Sequence, residues 1–234
     1  MKVVFLGTGE AFGRKENTSM LINDEILLEC GFHTLKQLMK VGKMDIKIVY
    51  LSHFHADHSI GLSSLLIAMN EEGRNEKLTI LAPKGIEDYV KNLLKISYGK
   101  NIDDLNYEIE MVEIGKKINM FGYEFLFGKT RHSFDCYSVS ISKNKKIAYT
   151  GDGFPTKATL NIAKSSDLLI AEAYGMFKNH SSIVKAAELA KEAEASILAL
   201  VHIFRKEDVD KEMKKAEKIF TPILIPKEFD EIWI

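Results

Sequence analysis

A mostly apolar run, Ile46-Lys47-Ile48-Val49-Tyr50-Leu51, passes without a break into Ser52-His53-Phe54-His55-Ala56-Asp57-His58 and then into a helical pattern over 59–72. The run reads as a buried strand, so the H-x-H-x-D-H segment occupies a strand-to-helix loop. Few features constrain a fold as tightly, because three imidazoles and a carboxylate at the mouth of a buried strand must meet partners there or lie idle on the surface. In such a loop His53 and His55 point one way while Asp57 and His58 wrap to another side, as two adjacent cations require. Imidazole nitrogen combined with carboxylate oxygen suits zinc first, with iron and manganese behind. The competing reading is a loop of three solvated histidines.

Two cations need more ligands than one loop holds, so further candidates must fall at the ends of other strands. His132 follows the strand-like stretch Tyr123 to Phe127, Asp152 follows Ile147-Ala148-Tyr149-Thr150-Gly151, and His202 follows Ile197-Leu198-Ala199-Leu200-Val201. Alone, an aspartate after a strand is a turn residue and a histidine is a satisfied structural group. Their order and their shared placement at strand ends point to a ligand role for each.

The remaining sequence predicts the scaffold. Strands are expected at 3–6, 19–22, 25–28, 46–51, 78–82, 107–113, 118–127, 136–142, 146–150, 168–171 and 196–201, with helices at 33–41, 59–72, 83–97, 156–164, 181–193 and 206–218. Strands running into helices in both halves, without a linker or a repeat, predict an α/β fold: two sheets packed together with helices outside, a four-layer sandwich. A chain of 234 residues buries its own core, so one domain over residues 1–234 is expected. With 32 Lys+Arg against 33 Asp+Glu the net charge is −1, which excludes a basic nucleic-acid coat or a polybasic membrane binder but not a local patch. Cys30 and Cys136 match neither a disulfide framework nor a metal knuckle. The apolar stretch Val3 to Leu6 is too short for a signal-peptide core, and no run approaches the roughly 18 residues of a membrane span. A cytoplasmic protein without a membrane partner is therefore expected.

Taken in order, these motifs resemble those of the metallo-β-lactamase superfamily, and the chain is most similar to its ribonuclease Z-type branch. Phe5-Leu6-Gly7-Thr8-Gly9 resembles that branch's opening strand and glycine turn, Leu28-Glu29-Cys30-Gly31 its D-C-G segment, and Tyr149-Thr150-Gly151-Asp152 its T-G-D-T motif. Asp167-Leu168-Leu169-Ile170-Ala171-Glu172-Ala173 resembles D-L-L-I-H-E-A, His180-Ser181-Ser182 resembles H-S-T, and Val201-His202-Ile203-Phe204-Arg205 resembles the final motif. The resemblance implies the metallo-β-lactamase fold, a four-layer αββα sandwich of two mixed β-sheets, and a hydrolase using two divalent metal ions, Zn2+ first with Mn2+ or Fe2+ as alternatives. It implies His53, His55 and His132 on one ion, Asp57, His58 and His202 on the other, and Asp152 between them. A hydroxide bridging the ions would attack, with Asp57 orienting it or taking its proton. Glu172 and His180 resemble the pair that protonates the leaving oxygen; the plain alternative is a surface carboxylate and a helix-start residue.

The chain departs from that branch in places. A long arm that grips the tRNA elbow usually lies between the third and fourth motifs, yet His132 and Asp152 are 20 positions apart, spanned by two strands and a turn at Ser142-Lys143-Asn144-Lys145. Ala171 stands where a histidine is usual and Phe32 where Glu is, and the stretch from Glu172 to His180 is short. Three of the four arginines, Arg14, Arg131 and Arg205, lie near motif positions, and guanidinium forks suit phosphate oxygens. Arg205 is the expected substrate-binding residue. The expected activity is that of a phosphodiesterase acting on a small phosphodiester, such as a cyclic nucleotide or a phosphoribosyl-type metabolite, or on an RNA end, with a homodimer as the assembly. Ribonuclease Z-type tRNA 3′ processing and hydrolysis of esters, thioesters or lactones are the alternatives.

Overall fold

The computed structural model describes residues 1–175 and 179–234; the middle of the short Glu172 to His180 stretch lies outside the described residues. The first sheet has the order β14-β1-β2-β3-β4-β5-β6, built from β1 (Lys2–Gly7), β2 (Ser19–Ile22), β3 (Ile26–Leu28), β4 (Ile48–Tyr50), β5 (Leu78–Ala82), β6 (Ile109–Glu113) and β14 (Glu231–Trp233). The second has the order β13-β12-β11-β10-β9-β8-β7, from β7 (Lys117–Met120), β8 (Tyr123–Lys129), β9 (Tyr137–Ser142), β10 (Lys146–Tyr149), β11 (Leu168–Glu172), β12 (Leu198–Val201) and β13 (Ile223–Leu224). Each sheet is mixed: hairpin-connected strands pair antiparallel, and strands joined through helices pair parallel.

Side-chain alternation explains the layers. In β1, Val3 and Phe5 face the second sheet while Val4 and Leu6 face the helices, and Ile48 and Tyr50 of β4 are divided from Val49, and from Leu51 just beyond the strand, in the same way. In β11 and β12, Leu168, Ile170, Ala199 and Val201 meet the first sheet, and Leu169, Ala171, Leu198 and Leu200 lie under helices. Strands buried on both faces read as continuous apolar runs. Helices α1 (Thr34–Val41), α3 (Leu62–Glu71) and α4 (Ile86–Tyr98) cover one outer face; α5 (Lys157–Ala163), α6 (Ile183–Glu192) and α7 (Val209–Ala216) cover the other. The expected four-layer αββα sandwich is the observed one. No helix among the described residues is long and apolar enough to cross a membrane.

Three local readings differ. The stretch expected as one strand over 118–127 is a hairpin, β7 to β8, turned by Phe121 (φ 49°) and Gly122 (φ 75°). Left-handed angles at both central residues suit a two-residue hairpin turn, and an apolar phenylalanine in the first of them hid it. The helix expected from 59 begins earlier, as the short α2 (Ala56–Ser59), before α3 starts at Leu62. Strands β13 and β14 were missed because they are only two and three residues long and take their register from β12 and β1.

Candidate metal centre

The loops after β4, β8, β10 and β12 meet at one edge of the sandwich, where backbone bonds join the two sheets: Tyr137 N–H to Ser52 O at 3.1 Å and His202 N–H to Thr8 O at 2.9 Å. Each functional side chain is placed by its own strand end. His53 is buried just beyond β4, its Nδ1 2.9 Å from Ser52 Oγ. His55 is extended at the start of α2 (φ −60°, ψ 145°), and the helical turn that follows swings Asp57 and His58 to a different side. Asp152 sits between Gly151 (φ 60°) and Gly153 (φ 115°). A Cβ on Gly151 would lie 2.8 Å from Tyr137 O and 2.9 Å from Ser52 Cβ, so only glycine lets β10 deliver Asp152 at this depth. His202 itself has φ 54°, a strained angle for a non-glycine residue, held where β12 ends.

The ligand candidates fall into two groups. His53, His55, His132 and Asp152 form one, and Asp57, His58 and His202 form the other; a third set, Asp152, His180 and His202, overlaps both. Asp152 Oδ2 lies 3.4 Å from His58 Nε2 and 3.6 Å from His202 Nε2, so the same carboxylate also reaches the second group. In the first group His55 Nδ1 is 2.9 Å from His53 Nε2 and 3.2 Å from His132 Nε2. A ring nitrogen carries either one proton or one lone pair, so His55 Nδ1 cannot hydrogen-bond to both neighbours. Lone pairs converging on one point are what a cation satisfies, and nitrogens about 2.0–2.1 Å from a tetrahedral zinc lie about 3.3 Å from each other. In the second group His58 Nε2 and His202 Nε2 are 3.3 Å apart, and Asp152 Oδ1 is buried with no hydrogen-bond partner among the described residues. The donor set fits two divalent cations.

The electrostatics separate the two groups. Burial pushes His53 well below the ordinary imidazole range, assisted by the neighbouring His58, and burial also lowers His55 and His132. These three are neutral and offer lone pairs. For His58, burial is outweighed by the Asp152 and Glu29 carboxylates, which raise it well above that range; His202 is raised by Asp152 and Asp57 against the same burial. Asp57 and Asp152 are held low against burial, Asp57 chiefly by its 3.2 Å bond from His202 and Asp152 by His202 and His58. Without metal, protons on this side occupy the place of a cation's charge.

His180 Nδ1 lies 3.0 and 3.2 Å from the two oxygens of Glu172. The His180 ring packs 4.8 Å from that of His132 and 6.1 Å from that of His202, so it stands between the two groups. Glu172 is buried at the end of β11 and also accepts from the Gly153 and Ser181 N–H groups at 2.6 and 3.2 Å. Burial pushes its carboxyl up while the His180 bond pulls it back; His180 is raised by that bond against burial. Glu172 therefore fixes the ring through Nδ1 and favours its charged form.

The arginines divide. Arg131 is exposed, its guanidinium 4.6 Å over the Phe154 ring. Arg205 is near the centre, bonded through Nη1 to the buried Glu10 Oε1 at 2.7 Å. The Gly7-Thr8-Gly9 turn presents no free anion nest at Gly9, whose N–H bonds Glu16 O at 2.7 Å. Sequence reasoning missed two contributors. Glu29, strained at φ 62° and fully buried, lies 3.5 Å from His58 Nδ1 and accepts from Ser52 N–H at 3.1 Å, which orients the imidazole and leaves Nε2 for the centre. Phe134, 51% exposed, sets its ring 4.6 Å from that of His55 at the rim. Glu29 was visible only as the acid of the Glu-Cys-Gly segment, and Phe134 carried no signal.

Comparison with known proteins points to the same fold. The family described as Anti-Pycsar protein Apyc1 matches residues 1–220. The ribonuclease Z of Saccharolobus solfataricus is 29% identical, with 100% of this chain and 99% of that protein covered. That alignment runs over 294 positions against 234 residues here, so about 60 positions of the relative have no counterpart in this chain. Among solved structures, the metallo-β-lactamase fold protein YhfI from Bacillus subtilis superposes with a TM-score of 0.83 at 23% identity, covering 99% of both chains. The short form of human tRNase Z gives 0.79 at 21%, covering 100% of this chain and 99% of that one. The sandwich is the metallo-β-lactamase fold, its edge carries a His/Asp cluster able to hold metal ions, and the protein is a metal-dependent hydrolase similar to the ribonuclease Z proteins. With residues 1–220 matched, the chain belongs to the Anti-Pycsar protein Apyc1 family.

Proposed function

We propose that the protein is a two-metal phosphodiesterase acting on a small phosphodiester. The observation that carries this reading is that two groups of ligands share Asp152, with the His180–Glu172 pair standing between them. In this reading His53, His55 and His132 hold one ion, Asp57, His58 and His202 hold the other, and Asp152 serves both. A pair of divalent cations there, zinc first by its donor set, supplies Lewis acidity and lowers the pKa of water toward neutrality. Asp57, ionised and braced by His202, orients the attacking water and accepts its proton. His180, charged with a proton on each ring nitrogen, delivers the Nε2 proton to the departing oxygen, and Glu172, accepting from Nδ1–H, stabilises that charged form.

A small substrate is favoured over tRNA because the span from His132 to Asp152 is filled by the β9–β10 hairpin, with Lys143 N–H closing on Lys145 O at 3.1 Å. The missing length relative to the Saccharolobus ribonuclease Z points the same way. One domain over 1–234 and a reducing, cytoplasmic setting belong to the same reading; Cys30 and Cys136 are buried free thiols. Purified protein loaded with zinc or manganese is expected to hydrolyse bis(p-nitrophenyl) phosphate, with His55→Ala at least 100-fold slower. Equal rates for the two proteins would remove the proposal, and turnover of a lactone or thioester without any diester would replace it.

A further inference from the structure

The two ligand groups are braced by different parts of the chain. In the first, His53 Nδ1 lies 2.9 Å from Ser52 Oγ, its chain neighbour, and His132 Nδ1 lies 3.1 Å from Asn179 O. In the second, the brace comes from the loop after β1. Thr8 O accepts the His202 N–H at 2.9 Å, and Glu10 Oε1 accepts Arg205 Nη1 at 2.7 Å, three positions beyond His202. These bonds are two rungs between the segment 8–10 and the segment 202–205. Glu10 Oε2 accepts the Phe12 N–H at 2.7 Å, which ties the carboxylate to its own loop.

The same loop reaches Asp57. Asn17 Nδ2 donates to Glu10 O at 3.4 Å, and Asn17 Oδ1 accepts the Phe32 N–H at 3.1 Å. Gly31 is packed between the two segments, since a Cβ there would lie 2.7 Å from Asn17 Cβ and 2.1 Å from Asp57 O. His202 in particular needs a brace. Its φ of 54° lies in the left-handed region, which a non-glycine residue keeps only where its surroundings over-determine it. Glu10 is 1% exposed. A buried ion pair adds little net stability, because desolvation offsets its attraction, but it does fix the distance between the segments it joins.

We propose that Glu10 is a positioning residue for the cation held by Asp57, His58 and His202: it fixes the His202 backbone through Thr8 and Arg205, and it braces Asp57 through Asn17 and Gly31. Resting on the two-metal reading, this role gives Arg205 a structural task beside the phosphate contact expected from sequence.

The test is zinc titration of the metal-free wild type and of Glu10→Gln against a chromophoric chelator, which resolves two binding steps without turnover. Glu10→Gln is expected to weaken one step about 10–100-fold and to leave the other within about threefold. Zinc-edge anomalous diffraction from crystals of the variant held at limiting zinc should keep the peak among His53, His55 and His132 and lose the one among Asp57, His58 and His202. Fewer than two zinc ions per wild-type chain would overturn the two-metal reading. Two ions in the wild type, with both steps unchanged or both weakened alike in the variant, overturn the positioning role instead. A double variant, Glu10→Met with Arg205→Met, separates positioning from folding. Apolar contact in place of the ion pair should keep the melting temperature close to that of the wild type while the second ion binds as weakly as in Glu10→Gln. A second binding step restored to wild-type affinity in the double variant would show that Glu10 only supports the fold, which overturns the assignment.

Discussion

Substitution of His180 by Gln tests the proton-donor assignment. The imidazole is gripped at Nδ1 by Glu172 at 3.0 and 3.2 Å, and Glu172 is itself immobilised by the Gly153 N–H at 2.6 Å and the Ser181 N–H at 3.2 Å. With Nδ1 committed, Nε2 is the only position from which a proton can be delivered. Burial works against the charged imidazole, but Glu172 outweighs it and raises His180 from the ordinary imidazole range, which favours the acid form. A positioned general acid contributes roughly 10²–10⁴ in rate, about 3–5 kcal/mol of barrier. That contribution exists only where the leaving oxygen needs a proton. An alkoxide does, whereas p-nitrophenolate departs as a stable anion. His180→Gln should therefore lower kcat about 10³-fold on a cyclic nucleotide and less than about tenfold on bis(p-nitrophenyl) phosphate. Steady-state kinetics on both substrates with one metal-loaded preparation decides the matter. Equal losses on the two leaving groups would show that His180 supports the site without donating the proton.

Other substitutions probe the scaffold and the charges. Glu172→Gln should cost about 1–3 kcal/mol, because an amide turns a donor toward N–H groups that need an acceptor, and should lower the melting temperature by about 2–10 °C; an unchanged melt would refute the hub role. Gly151→Ala forces a left-handed angle and a Cβ 2.8 Å from Tyr137 O, so a loss of at least ~2 kcal/mol is expected by denaturant titration, with weaker metal binding; a stability equal to wild type would contradict the close approach. In the metal-free protein Asp152 and Glu29 hold His58 protonated at neutral pH despite its burial, and a cation needs that lone pair. Metal uptake at pH 7 should therefore release protons, visible as calorimetric heats that depend on buffer ionisation enthalpy and diminish as pH rises; buffer-independent heats would rule this out. Glu29→Ala should weaken metal affinity 10–100-fold by freeing the His58 ring, and unaltered affinity would remove its orienting role.

The sequence carried much of the fold because its signals were local. Phe5, Tyr50 and Val201 lie in apolar runs whose ends mark where the ligands begin, so the strand-end histidines and Asp152 could be placed before any contact was known. His180 and Glu172, eight positions apart, were joined only through the resemblance. What stayed hidden depends on distant contacts. Glu10 meets Arg205 across 195 positions, and nothing near Glu10 in the chain marks it as buried. Likewise Glu29 takes its role from a left-handed turn beyond β3 that brings it to His58, and Phe121 occupies a turn that its apolar side chain disguises.

The central claim is that two adjacent cations share Asp152. Anomalous diffraction from crystals grown with zinc, measured on either side of the zinc edge, tests it most directly. Two peaks are predicted, one among His53, His55 and His132 and the other among Asp57, His58 and His202, with Asp152 contacting both. A single peak, or peaks lying away from Asp152, would contradict the account.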